Sequence, residues 1–490
     1  MKEINQIHFL LLLLSFFLFA CQNQSEKQNI KTLFGTNISE EKVGKFIDKE
    51  MESLNISALS IAIINEGKVV YHQVKGFADK EKQILADDNS IFEGASISKS
   101  VFGFFAMTFV EDGILNLDKP LYEYLPNPDI DNDERYKKIT ARIVLSHRSG
   151  FPNWRTDYPD KKLFIQFEPG TDYHYSGEGY QYLAEVLKHL LNTNWAGLEE
   201  EFQKRVAIPF KMEHTKFIQD YYIKKHKVQP YDIKGIWIDK YASDIWRSYD
   251  SIFVAPTTIH SEAVDFSKWM IAMMNEKGLS ENGFKELYKP HSEIASGLLR
   301  QDYTLGFIKL SILNISELFT HSGNNDGFST YFALDKDKKW GFVVFTNSSR
   351  LGDQFAQNLT YNLLLSGTIG KQIAIGLVLV FAILLLITNL IFVLFKKSPL
   401  YKIKKINFRI GLIAFFCSTS SLILMLTINY RIAKYLYLLA MLTVLLLGFK
   451  TLRMIVKYWR EENNKKIDLV FQAVFLLGVM ISGIAVGILQ

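Results

Sequence analysis

The segment Phe92-Glu93-Gly94-Ala95-Ser96-Ile97-Ser98-Lys99 carries a serine and a lysine three positions apart at the start of an apolar run. Residues i and i+3 of a helix share a face, so the Lys99 amine can reach the Ser96 hydroxyl. A serine is a poor nucleophile until a base takes its proton. A helix N-terminus adds partial positive charge and free N–H groups, which favour a developing oxyanion. The chemistry that suits this pattern is acyl transfer through Ser96. Lys99 must be neutral to act as the base, and moving an amine from a pKa of about 10.4 to near 7 takes about 4–5 kcal/mol of desolvation or neighbouring positive charge. Spacing alone is a weak signal. Ser39-Glu40-Glu41-Lys42 repeats it, and there the serine reads as a helix N-cap followed by acids. Ser98 and Ser100 read as structural.

Other segments add groups of the right kind. Glu168-Pro169-Gly170 leads through Tyr175-Ser176-Gly177 into a helix. His321-Ser322-Gly323 precedes a strand pair, and Ser146-His147-Arg148-Ser149-Gly150 sits in a loop-rich middle. His147 and His174 read as loop hydrogen-bonders, and Glu178 as a solvated acid at a helix start. The ten histidines are scattered and none forms His-Glu-x-x-His, so no metal is expected. Gly94-Ala95-Ser96 matches only the first half of a Gly-x-Ser-x-Gly elbow. No phosphate-binding glycine loop is present, and no cofactor is expected.

These groups need elements to hold them. A helix is expected from Ser39 to about Leu54. A hairpin follows, with strands at 58–64 and 68–74 around the turn Asn65-Glu66-Gly67. Residues 97–112 read as a buried helix ending at Gly113. Residues 112–160, rich in Pro, Asp, Asn and Gly, read as loops between short helices. A helix is expected at 179–191, a second hairpin at 328–334 and 340–346, and a helix at 353–365. Strands at both ends with helices between them predict an α+β domain over residues 39–366, one antiparallel sheet flanked by helices plus a helical domain.

In this order and spacing the pieces resemble the serine β-lactamase-like family, which includes class C β-lactamases, D,D-carboxypeptidases and related esterases. The resemblance runs from about 40 to 365 and takes in Asp118-Lys119-Pro120, Tyr124-Leu125-Pro126 and Leu145-Ser146-His147-Arg148-Ser149-Gly150. It implies that Ser96 is acylated, that Lys99 is its partner, and that Tyr175 shuttles protons as an anion or through Lys99. It sets His321 where the family carries the lysine of its Lys-Thr-Gly motif, followed by Ser322 and Gly323. The oxyanion hole would use the Ser96 N–H and that of Asn324, each such donor contributing about 3 kcal/mol. Two departures bear on substrate. Gly177 replaces the asparagine of Tyr-x-Asn, and His321 replaces a permanent cation, which weakens capture of a substrate carboxylate.

Charge and hydropathy divide the chain. Residues 371–490 hold fifteen Lys/Arg against three acids, so the rest of this +5 chain carries −7. That argues against nucleic-acid binding by the domain. Four apolar stretches, 373–395, 410–429, 433–449 and 469–489, read as transmembrane helices forming a C-terminal bundle. The loops 396–409 and 450–468 each carry six Lys/Arg, which assigns them to the cytoplasm and the domain to the other side. No Asp or Glu lies within a span, which favours an anchor over a transporter. The 14-residue apolar stretch 7–20 ends at Cys21. It reads as a lipoprotein-type signal peptide over 1–21, with lipid attached at Cys21 and a tether over 22–38. The only other cysteine, Cys417, lies in a span, so no disulfide framework is expected. Together these readings predict an extracytoplasmic, membrane-anchored serine hydrolase acting on amide or ester substrates. The candidates are D-amino-acid peptides of peptidoglycan, β-lactams and simple esters. The alternative is a penicillin-binding-like sensor that signals through the membrane helices. A small-molecule or peptide substrate and membrane lipid are the expected partners.

Overall fold

The computed structural model describes residues 29–365, apart from 297–298 and 313–315. The expected signal peptide, Cys21, the start of the tether and the four membrane spans lie outside the described residues. Among the described residues no helix is long and apolar enough to cross a membrane.

The chain opens with strands β1 (Asn29–Lys31) and β2 (Asn37–Ser39), which pair antiparallel. Residues 29–38, expected as tether, are thus folded. Lys31 explains why: its N–H donates to Asn65 Oδ1 at 2.7 Å and its carbonyl accepts from Trp340 Nε1 at 2.9 Å. Helix α1 (Glu40–Leu54) follows, with Ser39 as its N-cap and Asn55 closing it at φ 55°. Strands β3 (Ala58–Asn65) and β4 (Lys68–Asp79) form the expected hairpin, with the second strand longer than expected. Then come β5 (Ile84–Leu85) and β6 (Phe92–Glu93).

Six helices bridge the middle of the chain: α2 (Ser98–Glu111), α3 (Ala141–Leu145), α4 (Gly177–Leu190), α5 (Trp195–Phe202), α6 (Tyr221–His226) and α7 (Asp244–Tyr249). After β7 (His260–Ser261) come α8 (Ala263–Met274) and α9 (Glu281–Leu287). The return to the sheet runs through β8 (Ser292–Ala295), β9 (Leu299–Tyr303), β10 (Ile308–Ile312), β11 (Ser316–Asn325), β12 (Phe328–Asp335) and β13 (Trp340–Thr346). Helix α10 (Leu351–Leu365) ends the domain.

Nine strands make one antiparallel sheet in the order β5-β4-β3-β13-β12-β11-β10-β9-β8. The first hairpin and the last therefore meet at β3–β13, which brings the two ends of the domain into one sheet. Every residue of β3 is buried, because helices cover both of its faces. On one face α8 packs through Phe266 and Trp269 against Phe332 and Phe345. On the other, Phe46 of α1 meets Phe355 of α10 with ring centroids 6.1 Å apart.

Helix α2 lies within the helical region and twelve of its residues are buried. Such a helix, apolar all round, has no solvent face. Phe102 and Phe105 pack with Tyr180, Phe202 and Phe253. Each fully buried Phe contributes about 1.5–3 kcal/mol relative to exposure. The tightest approach is at Gly103, where an added Cβ would lie 2.4 Å from the Leu305 carbonyl oxygen. Ala is the better helix former by about 1 kcal/mol, but forcing a methyl against backbone costs about 1–3 kcal/mol. Gly103→Ala is therefore expected to destabilise the domain, read as a lower denaturant midpoint at unchanged slope.

Candidate active site

Ser96 does not begin α2. It sits one turn earlier, in a 3-10 turn over Ala95–Ile97. Three tethers fix that turn. The Gly94 N–H donates to Ile259 O at 2.6 Å, next to the short β6–β7 pair. Thr330 Oγ1 of β12 donates to Gly94 O at 2.6 Å. Ser98 Oγ donates to Ala95 O at 2.5 Å and accepts the Ile259 N–H at 3.0 Å. Ser100 Oγ donates to Gly306 O at 2.5 Å. Both of these serines are structural, as expected. Ala95 holds φ 49°, a left-handed conformation that a side-chain-bearing residue adopts at a cost of about 1–2 kcal/mol.

Lys99 Nζ lies 3.2 Å from Ser96 Oγ and donates to Pro256 O at 3.0 Å. The side chain is buried and no carboxylate bonds it, so desolvation holds its pKa well below the usual amine range. A neutral amine has two N–H donors and one lone pair. With one N–H on Pro256, the lone pair is available to take the Ser96 proton.

Tyr175 closes the other side. Its ring lies over Lys99 Nζ, 4.5 Å from the centroid, and its phenol bonds to Ser96. Burial pushes the phenol's pKa up. Tyr175 is therefore a protonated phenol near neutrality, which disfavours the anion among its two expected forms.

His321 on β11 is buried beside them, its ring centroid 6.1 Å from that of Tyr175. Burial and Lys99 lower its pKa to about 3, so the ring is neutral. Nδ1–H donates to Ser322 O at 2.6 Å, and Nε2 accepts from Tyr303 Oη at 3.0 Å. Both ring nitrogens are engaged within the protein. Strand alternation turns Gly323 to the same face as His321 and sends Ser322 and Asn324 to the other. The Asn324 amide donates to Asp353 Oδ2 at 2.6 Å. A Cβ on Gly323 would stand 2.3 Å from Gly94 O and 2.8 Å from Ser96 N, so the bare glycine keeps the Ser96 N–H accessible to an oxyanion.

Gly177, where the family carries asparagine, is also crowded. An added Cβ would meet Asn153 O and the Trp154 ring, both at 3.0 Å. Glu178 is not solvated. Arg155 binds it through Nε at 3.0 Å and Nη2 at 2.8 Å, which locks the loop to the start of α4. Sequence reasoning missed Pro256, Tyr303 and Trp154. The first acts through its carbonyl, and the other two sit in segments with no motif of their own. Among the described residues His214, Glu262 and Asp265 approach one another as metal ligands would. The two carboxylates already accept N–H groups at Val264, Asp265, Glu213 and His214, so the group reads as capping.

A serine with a buried lysine amine beneath it and a phenol over both, beside an antiparallel strand, defines the β-lactamase and penicillin-binding-protein class of fold and site. The chain belongs to the Beta-lactamase family, whose profile matches residues 43–366. Protein flp of Staphylococcus aureus (strain MW2) is 22% identical over 329 residues, covering 64% of this chain. The chain spans 64% of the length of that relative. Penicillin-binding protein 4* of Bacillus subtilis (strain 168) is 20% identical over 351 residues, covering 66% of this chain and 72% of its own. Among solved structures, the octameric penicillin-binding protein homologue from Pyrococcus abyssi superposes with a TM-score of 0.56 at 21% identity. It covers 66% of this chain and 77% of that one. That likeness concerns the fold.

Proposed function

We propose that this chain is a membrane-anchored, extracytoplasmic serine hydrolase that forms an acyl-enzyme at Ser96 and favours esters or amides without a carboxylate near the scissile bond. The observation that carries the acyl-transfer reading is the buried Lys99 amine 3.2 Å from the Ser96 hydroxyl, its pKa held well below the usual amine range by desolvation. Two features support the substrate preference. His321 is neutral and internally bonded, and Gly177 offers no side-chain amide. A hydrogen bond to a substrate carboxylate contributes about 1.5–3 kcal/mol, and neither His321, with both ring nitrogens engaged, nor Gly177 supplies it. Anchoring and compartment rest on the apolar runs and basic loops of the sequence.

The test is a panel on the full chain: nitrocefin, D-Ala-D-Ala peptides and neutral p-nitrophenyl esters. A neutral ester is expected to exceed its carboxylate-bearing analogue in kcat/KM by at least about 10-fold. Equal or reversed preference would refute the substrate class. A second reading, the sensor, is favoured by the same weakened substrate contacts at Gly177 and His321. A stoichiometric burst without turnover would select it.

A further inference from the structure

We infer that His147 is the positioning residue for the Tyr175 phenol, gripping the chain on both sides of that tyrosine. The inference rests on the serine-hydrolase reading of the same site. The His147 carbonyl accepts the N–H of His174 at 2.8 Å. Its ring Nδ1 accepts the N–H of Ser176 at 3.0 Å. One residue thus holds the N–H groups of the two residues that flank Tyr175. Its ring also packs on the Tyr175 ring, with centroids 4.3 Å apart and planes at 39°.

Backbone and ring can both reach because His147 adopts φ 58°. A buried residue held in that region persists where its surroundings over-determine it. Here neighbouring bonds do so. Gly170 N–H donates to Arg148 O at 2.8 Å, and Ser176 Oγ donates to Pro152 O at 2.8 Å. Since Nδ1 accepts, the proton of the neutral ring is on Nε2. That nitrogen has no hydrogen-bond partner, and Tyr173, Tyr180 and Tyr303 enclose the ring with Tyr175. The ring's hydrogen bond is therefore the one it accepts from Ser176.

Substitution separates this from bulk. Asparagine places an acceptor, Oδ1, where Nδ1 stands and tolerates positive φ. Glutamine carries its acceptor one atom further out, and phenylalanine has none. The full-length chain is tested with a fluorophosphonate probe, a neutral p-nitrophenyl ester, and hydrogen exchange of the peptide carrying residues 174–176. His147→Phe and His147→Gln are expected to lower kcat and the maximal labelling rate by about 10²-fold, as displaced catalytic groups do, with KM little changed. Exchange at 174–176 rises in both. His147→Asn is expected to recover most of the rate and the protection. The inference is overturned if Asn is as damaging as Phe, if KM carries the loss, or if exchange at 174–176 is unaffected in the Phe variant. Should the unaltered chain fail to react with the probe at all, the hydrolase reading fails, and the exchange comparison still decides the grip.

Discussion

Ser96→Ala leaves a folded chain that takes no covalent label from a fluorescent penicillin or a fluorophosphonate, and its hydrolysis of a neutral ester falls by about 10⁶-fold, the scale seen when a catalytic serine is removed. The fold survives because the tethers of the turn do not involve the Ser96 hydroxyl. They are Gly94 to Ile259, Thr330 to Gly94, and Ser98 to Ala95 and Ile259. Intact mass of the labelled protein, followed by peptide mapping, measures the effect. An adduct that persists in the variant, or that maps to Ser98 or Ser100 in the unaltered chain, removes Ser96 from the mechanism.

Lys99→Met is expected to cost about 10²–10⁴-fold in acylation rate, the range for loss of a general base. It should also erase a pH limb. Only the neutral amine can take the Ser96 proton, and burial lowers the Lys99 pKa. Acylation therefore climbs as pH rises through that lowered value and then levels. Neither neighbour mimics this limb. Tyr175 is pushed upward by burial, and His321 is already neutral above about 3. The same shift acts on stability with a definite sign. Between the folded pKa and about 10.4 the unfolded chain binds the proton and the folded chain does not, so stability rises with pH across that window. Near neutrality the amine is a net cost to folding, and methionine of similar shape removes it. Lys99→Met should thus melt higher at pH 7 while losing activity, a trade frequent at active sites. A flat pH profile in the unaltered chain would overturn the assignment of the base.

Much of this arrangement is legible in the chain. The hairpin around Asn65-Glu66-Gly67, the capped helix after Ser39 and the all-apolar run after Ser98 announce themselves by period and punctuation. Ser96 and Lys99 follow from spacing, and Tyr175 and His321 from the resemblance. Strands β8–β10 carry no such signal, because 292–312 mixes polar and apolar residues without clean alternation, and β11 enters only through the resemblance that places His321. The helix expected from 97 begins at Ser98, with Ser96 in a 3-10 turn ahead of it, since the apolar pattern does not distinguish such a turn from the helix it leads into. Other groups that finish the site are hidden for another reason. Pro256 contributes only a carbonyl oxygen, which leaves no mark on residue type. His147 reads as a loop hydrogen-bonder from the sequence, but its partners, the N–H groups of His174 and Ser176, are set by its left-handed φ and appear only in the fold.

The bond from Lys99 to Pro256 has a consequence for the course of the reaction. It pins the amine's rotation about its terminal bond, so the orbital that collects the hydroxyl proton keeps one heading throughout. When the tetrahedral species collapses, the ammonium formed at Lys99 can pass a proton to the departing group, directly or through the Tyr175 phenol, without swinging a flexible butyl arm. Acylation is thereby spared a conformational search between its two proton movements, and little solvent-like rearrangement is left in its barrier.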